Sequence, residues 1–191
     1  PEAEQGFNMA RLVVFLAGLP ISVAGTTINR FCGSSMQSIH NAAGAIQMGA
    51  GDVYICAGVE SMSRVPMTGF NPMPHPTLSE TVPGAYMSMG ETAENVGREY
   101  QIDRAEQQDF AVASQHKAAQ AQNEGRLAEE IVPITVNGKV VDADGCLRPD
   151  TTVEGLSGLK LAFDENGTVT AGTASPLTDG AAATLVCSEE Y

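Results

Sequence analysis

Positive charge is scarce in this chain of 191 residues: ten Lys and Arg stand against 23 Asp and Glu, a formal net charge of −13. A surface that acidic excludes nonspecific binding to nucleic acid or to an anionic membrane. A phosphorylated ligand would need a local cluster drawn from those few cations. Cysteine is sparse as well. Cys32, Cys56, Cys146 and Cys187 form no CxxC pair and no dense framework, which excludes a disulfide scaffold and fits a reducing cytoplasm. Histidine is limited to His40, His75 and His116, which never cluster with the cysteines, so no metal signature is present. The longest apolar run, 12–16, is far too short to span a bilayer. No signal-peptide pattern is visible, but the chain opens on Pro1 and not on Met, so that absence excludes nothing. Phosphate-cradling glycine motifs are missing too: Gly49-Ala50-Gly51 precedes an apolar run instead of opening a helix.

Apolar residues, by contrast, are plentiful. A hydrophobic content of 43% against 17% charged supplies a core and is inconsistent with disorder, and the length suits one large domain or two small ones. An amphipathic helical pattern over 9–17 stops at Gly18 and Pro20. Ile21, Val23, Thr26, Thr27 and Ile28 favour a short buried strand, and Met36, Ile39, Ala43 and Ile46 recur at helical spacing until Gly49. The unbroken apolar run 53–57 suits a strand buried on both faces, so 21–57 reads as a βαβ unit of a parallel sheet. From Glu60 to Met89 periodicity gives way to prolines and five of the eight methionines, either an adaptable apolar surface or ordinary packing under a loop. Ser88 with Glu91, then Asp103 with Glu106, are capping boxes that open helices to about Tyr100 and Asn123. Asn137-Gly138 turns a hairpin between 131–136 and 139–141, a polar loop covers 142–158, Asn166-Gly167 makes a further turn, and 181–186 reads as a buried strand. The expected fold class is α/β, with an α+β excursion over 61–160 inserted between two strands of one core sheet formed by 1–60 and 161–191.

Cys32 lies where strand gives way to helix, with Gly33, Ser34 and Ser35 making the bend. The partial positive charge of a helix N-terminus favours a thiolate, and a side chain on such a bend is well exposed to substrate. The alternative at this level is one more buried apolar cysteine, as Cys56 and Cys187 are expected to be, with Cys146 a surface bystander. No partner base is readable. His40 follows by eight residues on the same helix, about 12 Å of rise; His116 reads as a solvated helix residue, and His75 sits in the proline-rich loop.

Four separated motifs nevertheless carry a resemblance. Asn29-Arg30-Phe31-Cys32-Gly33-Ser34-Ser35-Met36-Gln37 resembles the acyl-enzyme cysteine motif of thiolases, and Val59-Glu60-Ser61-Met62-Ser63 the segment that follows it. Met89-Gly90-Glu91-Thr92-Ala93-Glu94-Asn95 is similar to the loop-domain motif MGxTAEN. Gly167-Thr168-Val169-Thr170-Ala171-Gly172, with Ala174-Ser175 and Asp179-Gly180-Ala181-Ala182, resembles the GTVTAG…AS…DGAA signature. Ketosynthases share the fold but lack the MGxTAEN and GTVTAG pair.

The resemblance implies part of the thiolase layered fold: an N-terminal domain core over 1–60 and 161–191 and an inserted loop domain over 61–160. It implies that Cys32 attacks the 3-keto carbon of a 3-ketoacyl-CoA, releases acetyl-CoA and passes its acyl group to fresh CoA, the thiolysis step of fatty acid β-oxidation. The alternatives are a biosynthetic acetyl-CoA C-acetyltransferase and a non-catalytic acyl-CoA or lipid carrier. Ser88, where some biosynthetic members have histidine, leans to the degradative reading. The resemblance further implies Met89 beside the bound thioester, Arg148 near the CoA nucleotide, Leu159, Phe163 and Ala171 along the pantetheine channel and Ser175 as a hydrogen-bond partner, with 61–89 bordering the acyl pocket. Gly155 and Ser35 depart from the commoner Ser and Gly of the family. The expected partners are acyl-CoA and CoA, with no metal, no resident cofactor, no nucleic acid and no membrane; the full-length form is expected to be a cytoplasmic homodimer or homotetramer. Neither GHPxG nor CxGxG occurs in the chain, so the activating histidine and second cysteine are expected in a C-terminal domain beyond it, and the isolated chain is expected to have at most residual activity.

Overall fold

Asn8 begins the first helix of the computed structural model, which describes residues 6–191. Its side chain accepts from the Arg11 N–H as the N-cap of α1 (Met9–Leu16), and Gly18 at φ 67° ends the turn that follows. Residues 21–28 do not form the expected strand. A strand needs a neighbour for its carbonyls, and here α1 takes that part. Arg11 donates to the Val23 carbonyl and, at 2.7 Å, to the Ile21 carbonyl. Asn8 Nδ2 donates to the Gly25 carbonyl at 2.7 Å. The pairing is close enough that a Cβ on Gly25 would lie 2.5 Å from the Arg11 nitrogen. The chain therefore runs beside α1 as an irregular segment until α2 (Ser34–Gln47), whose last turn closes on Met48 with Gly49 at φ 70°.

The expected parallel βαβ unit is corrected as well. After α2 comes β1 (Val53–Ser61), which pairs antiparallel with β4 (Asp179–Cys187), from Val53 opposite Cys187 to Ser61 opposite Asp179. The run 53–57 has the pattern of a strand buried on both faces, yet helix α2 covers one face only. On that face Cys56 is buried, its thiol donating to the Ser38 carbonyl at 3.5 Å. On the other, Ile55, Val59 and Leu185 are 58%, 40% and 61% exposed, and Cys187 is exposed where a buried filler is expected. Continuous apolar character thus marks a face for which no cover exists among the described residues. The loop after β1 is tied to the start of β4, since Ser63 donates through N–H and hydroxyl to the two carboxylate oxygens of Asp179.

Residues 6–73 and 177–191 form one compact unit, and 74–176 a second, inserted in sequence between them. The boundaries expected from sequence fall earlier, at 60/61 and 160/161. Two contacts account for the difference: the tie from Ser63 to Asp179 in the first unit, and the bonding of Thr168 to Glu94 in the second.

The second unit opens with α3 (Pro76–Thr81), with Pro76 in its first turn, and a 3-10 turn at Pro83–Tyr86. Both capping boxes form as expected: Ser88 with Glu91 opens α4 (Met89–Glu99), and Asp103 with Glu106 opens α5 (Arg104–Asn123). Asn137 and Gly138, at φ 52° and 77°, turn the hairpin of β2 (Ile134–Val136) and β3 (Lys139–Val141), the left-handed pair that matches strand twist. Thr152 caps the short α6 (Val153–Ser157), which falls inside the stretch expected to be a loop. Leu161 then bridges to Thr170, so that 161–162 and 169–170 run antiparallel before the turn at 171–174.

Candidate active site

In the first unit the features converge on the bend before α2. Phe31 is held at φ 45°, a left-handed conformation that costs a bulky residue on the order of 1 kcal/mol and more. Asn29 and Ser34 hold it there. Asn29 Oδ1 accepts from the Phe31 N–H at 2.9 Å, the Ser34 hydroxyl donates to the Phe31 carbonyl at 2.6 Å, and the same hydroxyl accepts from the Arg30 N–H at 2.8 Å. The Arg30 side chain is itself fixed to Gln37 on α2 at 2.7 Å. Cys32 follows Phe31 at once and is exposed, one residue before the N-cap Gly33. The sulfur therefore sits beside the N-terminal end of a helix of 14 residues, presented by a bend that polar side chains define.

Gly58 sets how near β1 approaches this turn: a Cβ there would lie 1.9 Å from the Ser35 hydroxyl oxygen. Of the histidines, His40 shares α2 with the Cys32 bend but stands two turns up the helix and is exposed, too far to bond the sulfur. Among the described residues no group of His, Cys, Asp and Glu could hold a metal ion, and no helix is long and apolar enough to cross a membrane.

In the second unit, one face of α4 organises what surrounds it. Gly90, Glu94 and Gly97 are its buried residues, spaced as one stripe of a helix. The ring of Phe163 lies on Gly90, where a Cβ would come within 2.1 Å of it. Glu94, 2% exposed, accepts from the Thr168 N–H at 2.9 Å and the Val169 N–H at 2.8 Å, and from the Thr168 hydroxyl at 3.3 Å. Arg98, one turn on, bonds Asp164 at 2.9 Å. The Asp164 carboxyl is held below its ordinary range by the Asn166 N–H and then by Arg98.

Two open grooves flank α6. The first, about 490 Å³, is lined by Arg104 and by 159–165, and so includes Leu159 and Phe163. The second, about 320 Å³, is lined by 148–152, Gly155 and Leu156, and includes Arg148. Arg104 fixes the wall between them: its Nη2 donates to the carbonyls of Leu159 at 2.7 Å and Ser157 at 2.9 Å. Arg148 Nη1 donates to the carbonyls of Gly145 and Leu147, both at 3.1 Å, and the Arg148 N–H is held by Gln115 of α5 at 2.8 Å. His116, expected to be solvated, is exposed but also contacts the Thr151 carbonyl at 3.1 Å. Gly172 lies beneath Leu156 and Leu159, whose methyl carbons would be 2.4 and 2.7 Å from an added Cβ.

Leu159 and Phe163 thus share one groove, and Arg148 belongs to the other. Met89, 62% exposed, begins α4 next to the glycine that carries the Phe163 ring. Ala171 and Ser175 lie in the turn past Thr170 and line neither groove; the Ser175 hydroxyl contacts the Pro176 carbonyl at 3.4 Å. Sequence reasoning missed the strain at Phe31 and the anchoring parts of Glu94 and Arg104. For Glu94 a signal existed: an acid between two glycines at spacings of four and three on one helix.

The family profile described as "Thiolase, N-terminal domain" matches residues 1–190. A 3-ketoacyl-CoA thiolase of Bacillus subtilis is 47% identical over 203 residues, covering 100% of this chain and 52% of that protein. One from Photobacterium profundum is 51% identical over 192 residues, covering 97% of this chain and 49% of its own. The chain spans about half the length of the curated relatives it matches. Among solved structures, human mitochondrial 3-ketoacyl-CoA thiolase in complex with CoA superposes with a TM-score of 0.81 at 35% identity, over 95% of this chain and 49% of that one. The dimeric peroxisomal thiolase of Saccharomyces cerevisiae gives 0.85 at 34% identity, over 93% and 47%.

Proposed function

The chain belongs to the thiolase family and adopts part of the thiolase fold, and from that membership we propose that Cys32 is the nucleophile of an acyl transfer between coenzyme A thioesters. The observation that carries the reading is the exposed Cys32 on a strained bend, one residue before the helix cap. A thiolate suits this chemistry, since it attacks a carbonyl well and leaves a thioester well. In the proposed reaction the Cys32 sulfur bonds to the 3-keto carbon of a 3-ketoacyl-CoA, and the carbonyl π pair moves to oxygen. The backbone N–H of Cys32 can donate to that oxygen as it gains charge. Collapse breaks the bond between C2 and C3, the electron pair goes to C2, and a proton delivered there gives acetyl-CoA. The acyl group left on Cys32 is then attacked by the sulfur of a second CoA, which expels the Cys32 thiolate. Delivery and removal of protons fall, in this proposal, to groups outside the chain.

The second unit would hold the coenzyme as substrate. Arg148 would meet the phosphates of the nucleotide, Leu159, Phe163 and Ala171 the pantetheine arm, Ser175 would hydrogen-bond it, and Met89 would lie beside the thioester. Support comes from the apolar wall that Leu159 and Phe163 share and from the cation at the neighbouring groove. In this proposal the division of labour runs between the unit of 6–73 and 177–191, which carries the nucleophile, and the unit of 74–176, which carries the coenzyme. The names of the relatives favour degradative thiolysis of 3-ketoacyl-CoA over acetyl transfer. A homodimeric or homotetrameric assembly is proposed for the full-length protein, in keeping with the dimeric yeast thiolase, and a cytoplasmic location in keeping with four unpaired cysteines.

The test is covalent trapping. Incubating the chain with acetoacetyl-CoA or acetyl-CoA and mapping adducts by mass spectrometry should place an acyl group on Cys32 and none on the C32S variant at neutral pH. Because the base is assigned to groups outside the chain, the incubation is repeated at about pH 9, where an ordinary thiol ionises unaided; a chain that binds CoA but leaves Cys32 unacylated there too would be a carrier, and the proposal would fall.

A further inference from the structure

On the reading that the second unit holds coenzyme A, we infer that Glu94 is a positioning residue for the coenzyme groove, acting through the backbone it anchors and not by touching the ligand. Its carboxylate is buried and acceptor-only, and it faces an unusual concentration of donors: the N–H groups of Thr168 and Val169 and the hydroxyl of Thr168. The Gln107 amide donates to that same hydroxyl at 2.8 Å, which orients the hydroxyl hydrogen toward Glu94. The consequence travels along the chain. With Thr168 and Val169 fixed, the Val169 carbonyl accepts from the Ala162 N–H at 3.0 Å and Thr170 bridges to Leu161. Residues 161 and 162 are part of the groove wall, directly before Phe163, whose ring rests on Gly90 one turn earlier on the same face of α4. Beyond Thr170, Gly172 supports Leu156 and Leu159. One carboxylate thus sets the register of a short antiparallel pair from which both apolar sides of the groove are built.

A role of this kind separates from simple bulk filling by the response to conservative change. Glutamine keeps Oε1, which accepts from both the Thr168 and the Val169 N–H, and gives up only the Oε2 acceptor of the Thr168 hydroxyl, so E94Q should retain the register. Aspartate keeps the charge but withdraws it by one methylene, and alanine removes the acceptors while leaving three donors without a partner. Each such loss weighs enough to shift an equilibrium roughly tenfold or more.

The experiment measures two quantities on the 191-residue chain and on E94Q, E94D and E94A: the dissociation constant for free CoA by calorimetry, and amide hydrogen exchange at Ala162, Thr168 and Val169. The expected result is affinity in the order wild type, E94Q, E94D, E94A. E94Q should stay within about threefold of wild type and E94A fall by roughly tenfold or more, while exchange accelerates at those three amides and stays unchanged in the β2–β3 hairpin. Should E94A not fold, E94D carries the comparison. Wild-type affinity in E94A, or in E94D where E94A is unfolded, overturns the inference. So does a loss in E94Q as large as that in E94A. If the wild-type chain binds no CoA, the coenzyme reading itself fails, and exchange alone then decides whether Glu94 orders this wall: accelerated exchange at the three amides upholds that role, unaltered exchange refutes it.

Discussion

Gly167 offers a way to strike the Glu94 anchor without altering Glu94. A methyl group placed there, in G167A, would lie 2.2 Å from Oε1, 2.4 Å from Cδ and 2.7 Å from Oε2 of Glu94, where ordinary contact is 3.4–4 Å. The carboxylate must retreat by about 1 Å, beyond what a side-chain adjustment of a few tenths of an ångström supplies. It cannot do so freely, because Glu94 is 2% exposed and bonded to Thr168 and Val169. Retreat breaks one or two hydrogen bonds to a charged group, each worth about 1.5–3 kcal/mol, whereas a shift of the backbone incurs overpacking strain of about 1–3 kcal/mol. The smaller entropy of the alanine chain when unfolded returns less than about 1 kcal/mol. A net loss of about 2–3 kcal/mol is therefore expected, and for a chain of this size that lowers the melting temperature by roughly 4–12 °C.

The assay is thermal and urea unfolding followed by circular dichroism, extended to a double-mutant cycle with E94A. All three atoms nearest the added methyl belong to Glu94, so once alanine stands at 94 the methyl loses the neighbours it would strike. G167A should then add less than about 0.5 kcal/mol to the cost of E94A, and the coupling energy should equal most of the single-mutant effect. A melting temperature within about 2 °C of wild type for G167A, or strict additivity in the cycle, would refute the reasoning, because either shows that the carboxylate is not fixed against this turn.

Two further outcomes follow from groups at the surface. Glu91, Asp164 and Asp179 are held below their ordinary values of 4.5, 3.8 and 3.8, chiefly by the Ser88 hydroxyl, the Asn166 N–H and the Ser63 hydroxyl respectively. A depressed carboxyl contributes its stability above the unfolded-state value and loses it as pH falls through the lower folded-state value. Urea midpoints should therefore hold from about pH 7 to about 5 and decline below that; D179N should flatten part of the decline, and an acid limb identical to wild type in D179N would argue against the tie to Ser63. Removing the capping hydroxyl in S88A takes one bond from the start of α4 and should cost about 1 kcal/mol, read as a melting shift of roughly 2–4 °C; no shift would mean the box is idle.

How much of this is legible in the sequence depends on the range of the interaction that decides each element. Helices α2, α4 and α5 and the Asn137-Gly138 hairpin are readable because caps, periodicity and turn chemistry act within a few residues. The segment 21–28 misleads because its β-branched residues report a preference for extended backbone, while what the backbone bonds to is decided by Arg11 and Asn8, ten and more residues away. The antiparallel partner of β1 lies more than a hundred residues on, across the whole inserted unit, and no local pattern encodes it. Helices α3 and α6, of six and five residues, are too short for periodicity to register and are hidden by neighbouring prolines and glycines. At the candidate site the position of Cys32 beside a helix start is visible from Gly33, Ser34 and Ser35, and the glycines at 90 and 97 hint at the close-packed face that Glu94 shares, whereas the amides it meets, at 168 and 169, are too distant in sequence to be read.

The strain at Phe31 ties these threads together. A bulky aromatic at φ 45° is an unfavourable choice that the chain could avoid with glycine, and its ring, 83% exposed, gains little from packing. Stability alone therefore does not explain the residue or the conformation. The conformation occurs directly before Cys32, which stands outside the first turn of α2, one position before the N-cap Gly33. Asn29 and Ser34 hold the backbone of Phe31 in place from either side. A cysteine serving as filler would need none of this, as Cys56 demonstrates on a regular strand against Ser38. Strained backbone that is held by dedicated polar contacts and whose main effect is to present a sulfur is the arrangement expected where geometry at the reacting atom counts for more than folding stability.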